Sequence, residues 1–272
     1  MAKFHNDGRG MEKVVIIINA EVSEQGQLIS ASPVTQKMVE ALQRSIDRFS
    51  DPSVEVEIIS AATLWSKHSR NLYKSQDSRA IYCPLTIQLP DYFDFPQKRI
   101  YSACKDINAR RKWVEKNLGF KTSVGDSWLG HLWLPIILTK TGNGSGSVSQ
   151  SDRDRRYSTP VLANKPIYAE IIGEGSMPNS YEQPIDIPSR HRKLLHGLAD
   201  ELLDSLDAPP ATYLLQFSIY KGEIVFDRLW PFPAAPALIT LKTQQPDLFT
   251  CHWHCLKAQP IPDINISDAM PI

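Results

Sequence analysis

The chain has 272 residues, with 30 basic and 30 acidic side chains, 42% apolar and 22% charged residues. That balance excludes a binder drawn to nucleic acid or to an anionic membrane by net charge, and the apolar content excludes wholesale disorder. The longest unbroken apolar run, Val14–Ile18, is far too short to span a membrane. The N-terminal stretch MAKFHNDGRGMEK lacks the apolar centre of a secretory signal, so a cytoplasmic location is expected. Cys83, Cys104, Cys251 and Cys255 are too few for a disulfide scaffold and are expected to stay reduced.

Val14–Ala20 (VVIIINA) is β-branched and apolar throughout, which predicts a buried parallel strand. Ser32-Pro33 supplies an N-cap and a first-turn proline, and Met38, Leu42, Ile46 and Phe49 recur at helical spacing, so residues 33–49 form a helix. Val54–Ile59 follows as a second strand and completes a β-α-β unit. Residues 79–89 predict a third strand interrupted by Pro84. Residues 100–118 predict one helix, terminated by Gly119. Leu132–Lys140 and Lys165–Ile172 read as strands. Pro188-Ser189 opens a helix with Leu195, Leu198, Leu202 and Leu206 on its buried face. Thr212–Tyr220 and Glu223–Leu229 make a hairpin across Lys221-Gly222, followed by the proline-rich loop of residues 231–236. Residues 237–258 add a strand and a closing helix or strand. The fold class is α/β: a flexible start over 1–12, a Rossmann-like domain over 13–98, an α+β domain over 99–258 and a loose tail over 259–272.

Between two of these strands lies TKTGNGSGSVSQ, residues 139–150. Alternating glycine frees backbone N–H groups to converge on a phosphate, but the same composition also makes a flexible connector. Residue type alone leaves both readings open.

The order of elements resembles the ATP-grasp superfamily, the fold of ATP-dependent carboxylate–amine ligases. PIILTKTGNGSGSV, residues 135–148, is similar to that family's strand, lysine and Gly/Ser loop over the ATP phosphates. The resemblance therefore implies phosphate contacts from Lys140, Gly142, Gly144, Ser145 and Gly146. PIYAEIIGEG, residues 166–175, looks like the strand whose glutamate lies near the nucleotide, which implies that role for Glu170. Asp106 matches the start of a family helix, with Ile107 where a lysine is usual. Residues 189–233 match best, as a helix, a strand, a turn and a strand ending in Pro-x-Pro. The thirteen residues between Gly175 and Ser189 stand where the family has further strands.

The positions that hold magnesium in the family are substituted. Gln216 replaces the acid of the first strand, and Arg228-Leu229-Trp230 replaces the acid-containing triplet before the prolines. Magnesium needs hard oxygen ligands at short range, which arginine and tryptophan lack. Asp227 lies one residue away, and strict strand alternation would turn it to the opposite face. Arg228 is then the candidate catalytic side chain, binding an anion directly, or else an outward-facing strand residue with an ion-pair partner. The resemblance implies ATP as the cofactor, while the substitutions argue against Mg²⁺. Two functions follow: an ATP-dependent ligase joining a carboxylate to an amine or thiol through an acyl phosphate, or a catalytically degenerate fold serving as a nucleotide- or protein-binding scaffold. The expected partners are a nucleotide, a small carboxylate or another protein, and neither nucleic acid nor membrane.

Other charged and soft clusters have plainer readings. Cys251-His252-Trp253-His254-Cys255 offers soft ligands but no second ligand pair for zinc, so a half-buried strand or helix competes with a metal site. Asp152–Arg156 and Arg190–Lys193 are either anion contacts or solvated surface. No Gly-x-Ser-x-Gly elbow and no His-Glu-x-x-His pair is present.

Overall fold

The fold was obtained as a computed structural model, which describes residues 12–23, 25–50, 54–65, 80–125, 130–140 and 164–266. The chain divides into two compact units, Met1–Lys98 and Arg99–Ile272.

The first unit is built on β1 (Lys13–Ile18). Two-residue β2 (Glu21–Val22) pairs with β3 (Leu28–Ser30) in a small ribbon that the sequence pattern did not reveal. Helix α1 (Pro33–Phe49) starts where predicted, with the Ser32 hydroxyl accepting from Thr35 N. Met38, Val39, Leu42 and Ile46 form its buried stripe. Strand β4 (Glu55–Ser60), the short helix α2 (Ala61–Leu64) and β5 (Ile81–Pro84) follow. The sheet order is β4-β1-β5, all parallel. Central β1 is covered on both sides, which is why its run is apolar without alternation. Pro84 closes β5 rather than interrupting a longer strand.

In the second unit the single helix expected over residues 100–118 is two: α3 (Lys98–Lys105) and α4 (Ile107–Leu118). Asp106 divides them, because its carboxylate accepts from Ala109 N as the N-cap of α4. Gly119 ends α4 at φ 71° with its N–H on Glu115 O. Gly119→Ala places a Cβ in the left-handed region and is expected to lower stability by about 1 kcal/mol in a denaturant melt.

The rest is a seven-stranded sheet: β6 (Lys121–Thr122), β7 (Leu132–Lys140), β8 (Asn164–Tyr168), β9 (Ile172–Glu174), β10 (Tyr181–Glu182), β11 (Ala211–Tyr220) and β12 (Glu223–Trp230). The order is β10-β9-β7-β11-β12-β6, with β8 also on β7. The stretch 165–172 is not one strand. Ile136 opposes Tyr168 but Trp133 opposes Ile172, so the chain gains one residue between β8 and β9. Lys221 (φ 51°) and Gly222 (φ 77°) form the two-residue turn of the β11–β12 hairpin, as their positive φ values require.

Helix α5 (Ser189–Ser205) buries Leu195, Leu198, Leu202 and Leu203. After β12 a 3-10 turn (Ala235–Ile239) leads to the short helix α6 (Thr240–Thr243), and β13 (Gln244–Gln245) pairs with β14 (Asn265–Ile266) around α7 (Leu248–Leu256). The Cys-His-Trp-His-Cys segment is thus helical and wholly buried, and α7 packs on β11 and β7. Burial pushes the Cys104 and Cys255 thiols up to about 12, so both stay protonated and unreactive. Among the described residues, no cluster of three metal-ligating side chains is present, and no helix is long and apolar enough to cross a membrane.

Candidate functional site

Trp133, Gln216 and Arg228 form one register row across β7, β11 and β12, so their side chains share a face of the sheet. One residue of β12 is skipped beside this row. Gln216 opposes Arg228, but the next residue, Phe217, opposes Phe226. Asp227 is the extra residue of a β-bulge.

The bulge corrects the expectation that Asp227 turns away from the row. Its carboxylate and the Gln216 amide both meet the main chain of Gly130. Gly130 N donates to Asp227 Oδ2 at 2.6 Å, and Gln216 Nε2 donates to Gly130 O at 2.5 Å. A side chain at residue 130 would run into the Phe217 backbone, whose carbonyl oxygen lies 2.6 Å from an added Cβ. Only glycine brings its own N–H and C=O this close. The Gln216 oxygen accepts from Trp230 Nε1 at 2.9 Å, so both ends of this amide are used.

Asp227 is fully buried and held by cations. Arg111 of α4 donates Nη2 to Asp227 Oδ1 at 2.5 Å and Nε to Asp227 O at 3.0 Å. The third Arg111 contact is Nη1 to Gly125 O at 2.9 Å. Arg228 Nε adds a contact to the same Oδ1 at 3.2 Å. The Arg228 guanidinium lies 5.8 Å from the Trp230 ring centroid, and its Nη2 is buried with no hydrogen-bond partner among the described residues. A buried guanidinium N–H without an acceptor is a costly group that an anion would satisfy.

These residues do not fit magnesium. An octahedral cation needs several free oxygens about 2.1 Å away. Here the Gln216 oxygen is taken by Trp230, the Asp227 oxygens by Arg111, Arg228 and Gly130, and Arg228 is itself a cation.

The structure does not bring the other predicted residues to this row. Lys140 is exposed, seven residues beyond Trp133 on β7, or about 23 Å along the strand. Tyr168, opposite Ile136, stacks on His196 of α5 at 3.8 Å and donates to Asp200, so the even-numbered positions of β7 face α5. Trp133, Gln216 and Arg228 therefore lie on the other face. Glu170 is tied to α5, with Oε2 accepting from Arg192 Nη1 at 2.8 Å. Gly142, Gly144, Ser145 and Gly146 lie outside the described residues, as does Asp152–Arg156. Arg111 and Gly130 escaped the sequence reading. Arg111 sits in the charged run ARRKW, and nothing in its spacing separates it from a surface arginine.

No family model matches the chain. One curated relative, the formate-dependent phosphoribosylglycinamide formyltransferase of Haloquadratum walsbyi, is 27% identical over 84 residues, which is 31% of this chain and 21% of that enzyme. The chain thus matches about a fifth of the length of that relative. Solved structures match far more of it. N5-carboxyaminoimidazole ribonucleotide synthetase from Thermus thermophilus superposes with a TM-score of 0.62 at 9% identity, covering 92% of this chain and 79% of that one. The ADP complex of N5-carboxyaminoimidazole synthetase from Staphylococcus aureus gives 0.60 at 10% identity, covering 94% and 80%. Glycinamide-RNase-transformylase T from Mycobacterium tuberculosis gives 0.59 at 14% identity, covering 92% and 80%. At such low identity the likeness speaks for the fold. The chain has the ATP-grasp fold: a Rossmann-like β-α-β unit followed by an α+β unit on a largely antiparallel sheet, in which β6 alone pairs in parallel, with β12.

Proposed function

We propose that this protein is a nucleotide-binding member of the ATP-grasp fold that holds a phosphate group on Arg228 without a divalent cation, and that it works as a binding module rather than as a ligase. The observation that carries this reading is the set of contacts around Asp227. Asp227, the acid beside Gln216 and Arg228, is neutralised by Arg111, while Arg228 keeps a buried N–H free of protein acceptors among the described residues. Phosphoryl transfer depends chiefly on neutralising the charge of the transferred group, and a fixed guanidinium replaces only part of what a bridging cation supplies. Lys140 is given no share in the same phosphate, because it stands on the opposite face and about 23 Å along β7. A second reading, an ATP-dependent carboxylate–amine or carboxylate–thiol ligase acting through an acyl phosphate, is favoured by the likeness to synthetases solved with ADP.

Thermal melts with ATP, in EDTA and in excess magnesium, separate the two. The binding-module reading expects ATP to raise the melting temperature in EDTA, no further gain with magnesium, and loss of the shift in Arg228→Met. A shift that appears only with magnesium, accompanied by release of ADP in the presence of carboxylate and amine, supports the ligase. No shift under either condition rejects nucleotide binding altogether.

A further inference from the structure

The outward face of α5 has an order of charges that matches itself in reverse. Arg190, Lys193, Gly197, Glu201 and Asp204 are all exposed, and at 3.6 residues per turn they fall within a stripe about 80° wide. Gly197 lies at the centre of that stripe, both around the helix and along it. Arg190 is seven residues before it and Asp204 seven after; Lys193 is four before and Glu201 four after. None of the four charged side chains has an ion-pair partner among the described residues.

Among the described residues, nothing packs against Gly197 to account for a glycine there. It sits mid-helix, where glycine is among the poorest residues, and no described residue outside the helix's own turns lies within 4 Å of the Cβ that another residue would place there. Beside it runs an open apolar groove of about 490 Å³, walled by Leu118 and Phe120 at the end of α4 and by Leu194 and Leu198 of α5. Leu194 is 46% exposed. A small residue at the centre of a stripe lets a second helix approach closely, and apolar walls on either side give that helix something to bury.

We infer that α5 is the contact surface of a homodimer, in which α5 of one copy packs antiparallel on α5 of another across a two-fold axis at Gly197. In that arrangement residues whose numbers sum to twice 197 face each other. Arg190 meets Asp204 of the second copy, Lys193 meets Glu201, and Gly197 meets Gly197. Each charged contact occurs twice and the Gly197 contact once, on the axis, as a two-fold interface requires. A parallel pairing would instead set like charges side by side. One helix face with its walls is small for an interface, so association falls in the micromolar range.

Sedimentation velocity of the full chain across that range tests the inference. The wild type forms a dimer. Lys193→Glu alone and Glu201→Lys alone each weaken it by about tenfold or more, because two opposite-charge contacts become two like-charge ones. An equimolar mixture of these two variants dimerises again, since only the mixed pair restores opposite charges at both contacts. Gly197→Gln stays folded, having open space around it, and is monomeric. A wild type that remains monomeric overturns the inference and leaves the groove to a different protein. A dimer untouched by the single reversals, or single variants that stay apart on mixing, overturns it equally, by placing the contact elsewhere or in another orientation.

Discussion

Asp227→Ala is expected to lower the unfolding free energy by about 3–5 kcal/mol, the cost of breaking a buried ion pair from one side. Arg111 is almost fully buried, and its remaining contacts would be the carbonyls of Gly125 and residue 227. Its charge would have no counter-ion, Gly130 N would lose its acceptor, and Arg228 would stand beside an uncompensated cation. Urea unfolding at neutral pH measures the loss. The double variant Arg111→Met/Asp227→Leu removes both charges together, and should be markedly milder than the single one because no unpaired charge stays buried. If Asp227→Ala cost less than about 1 kcal/mol, Arg111 must reach another acid and the account of the bulge would fail.

Acid provides the second large effect. His252 of α7 is fully buried and its Nδ1 accepts from Thr212 N at 3.1 Å, at the start of β11. It must be neutral to accept, and burial lowers its pKa from the ordinary value of 6.5 to about 3. The unfolded chain takes up this proton first, near pH 6.5. Stability from this group is therefore complete above pH 6.5 and is lost as pH falls toward 3. Between pH 6.5 and pH 4 the loss comes to about 3 kcal/mol, at about 1.4 kcal/mol per unit. In His252→Asn the side-chain oxygen can still accept from Thr212 N but does not titrate. The gap between wild type and variant in urea melts at pH 7 and pH 4 isolates this histidine from the carboxylates. Equal acid sensitivity in the two proteins would remove His252 from the account.

Much of the framework was legible in the sequence. Helix α1 could be read to the residue, because Ser32 and Pro33 fix its start and the apolar stripe fixes its face. Strand β1 and the Lys221-Gly222 hairpin were equally plain, since an unbroken β-branched run and a tight turn are local signals. The division of α3 from α4 was missed because Asp106 looks like any polar helix residue until its side chain caps. The extra residue between β8 and β9 was missed because Ala169-Glu170-Ile171, the residues of the break, include no glycine or proline to mark it. The site was the least legible part. Its row joins residues from β7, β11 and β12, and a one-residue bulge decides which side chains meet Gly130. Pairing register of this kind is a property of two strands in contact, and neither strand's own sequence states it.

That bulge also constrains how the protein can change. Phe226 and Val225 are buried on opposite faces of β12, and their pairing with Phe217 and Ser218 depends on Asp227 standing as an extra, unpaired residue. Deleting one residue to restore plain alternation would exchange the faces on which Ile224, Val225 and Phe226 pack, and so disrupt the packing on both sides of β12. Substituting Arg228 by an acid would set a second carboxylate against Asp227 with only Arg111 to balance both. Neither single step frees the oxygens that a divalent cation would need. The bulge, the buried ion pair and the Gly130 contacts are thus one coupled unit, in which a change at Asp227 or Arg228 is felt by every other member.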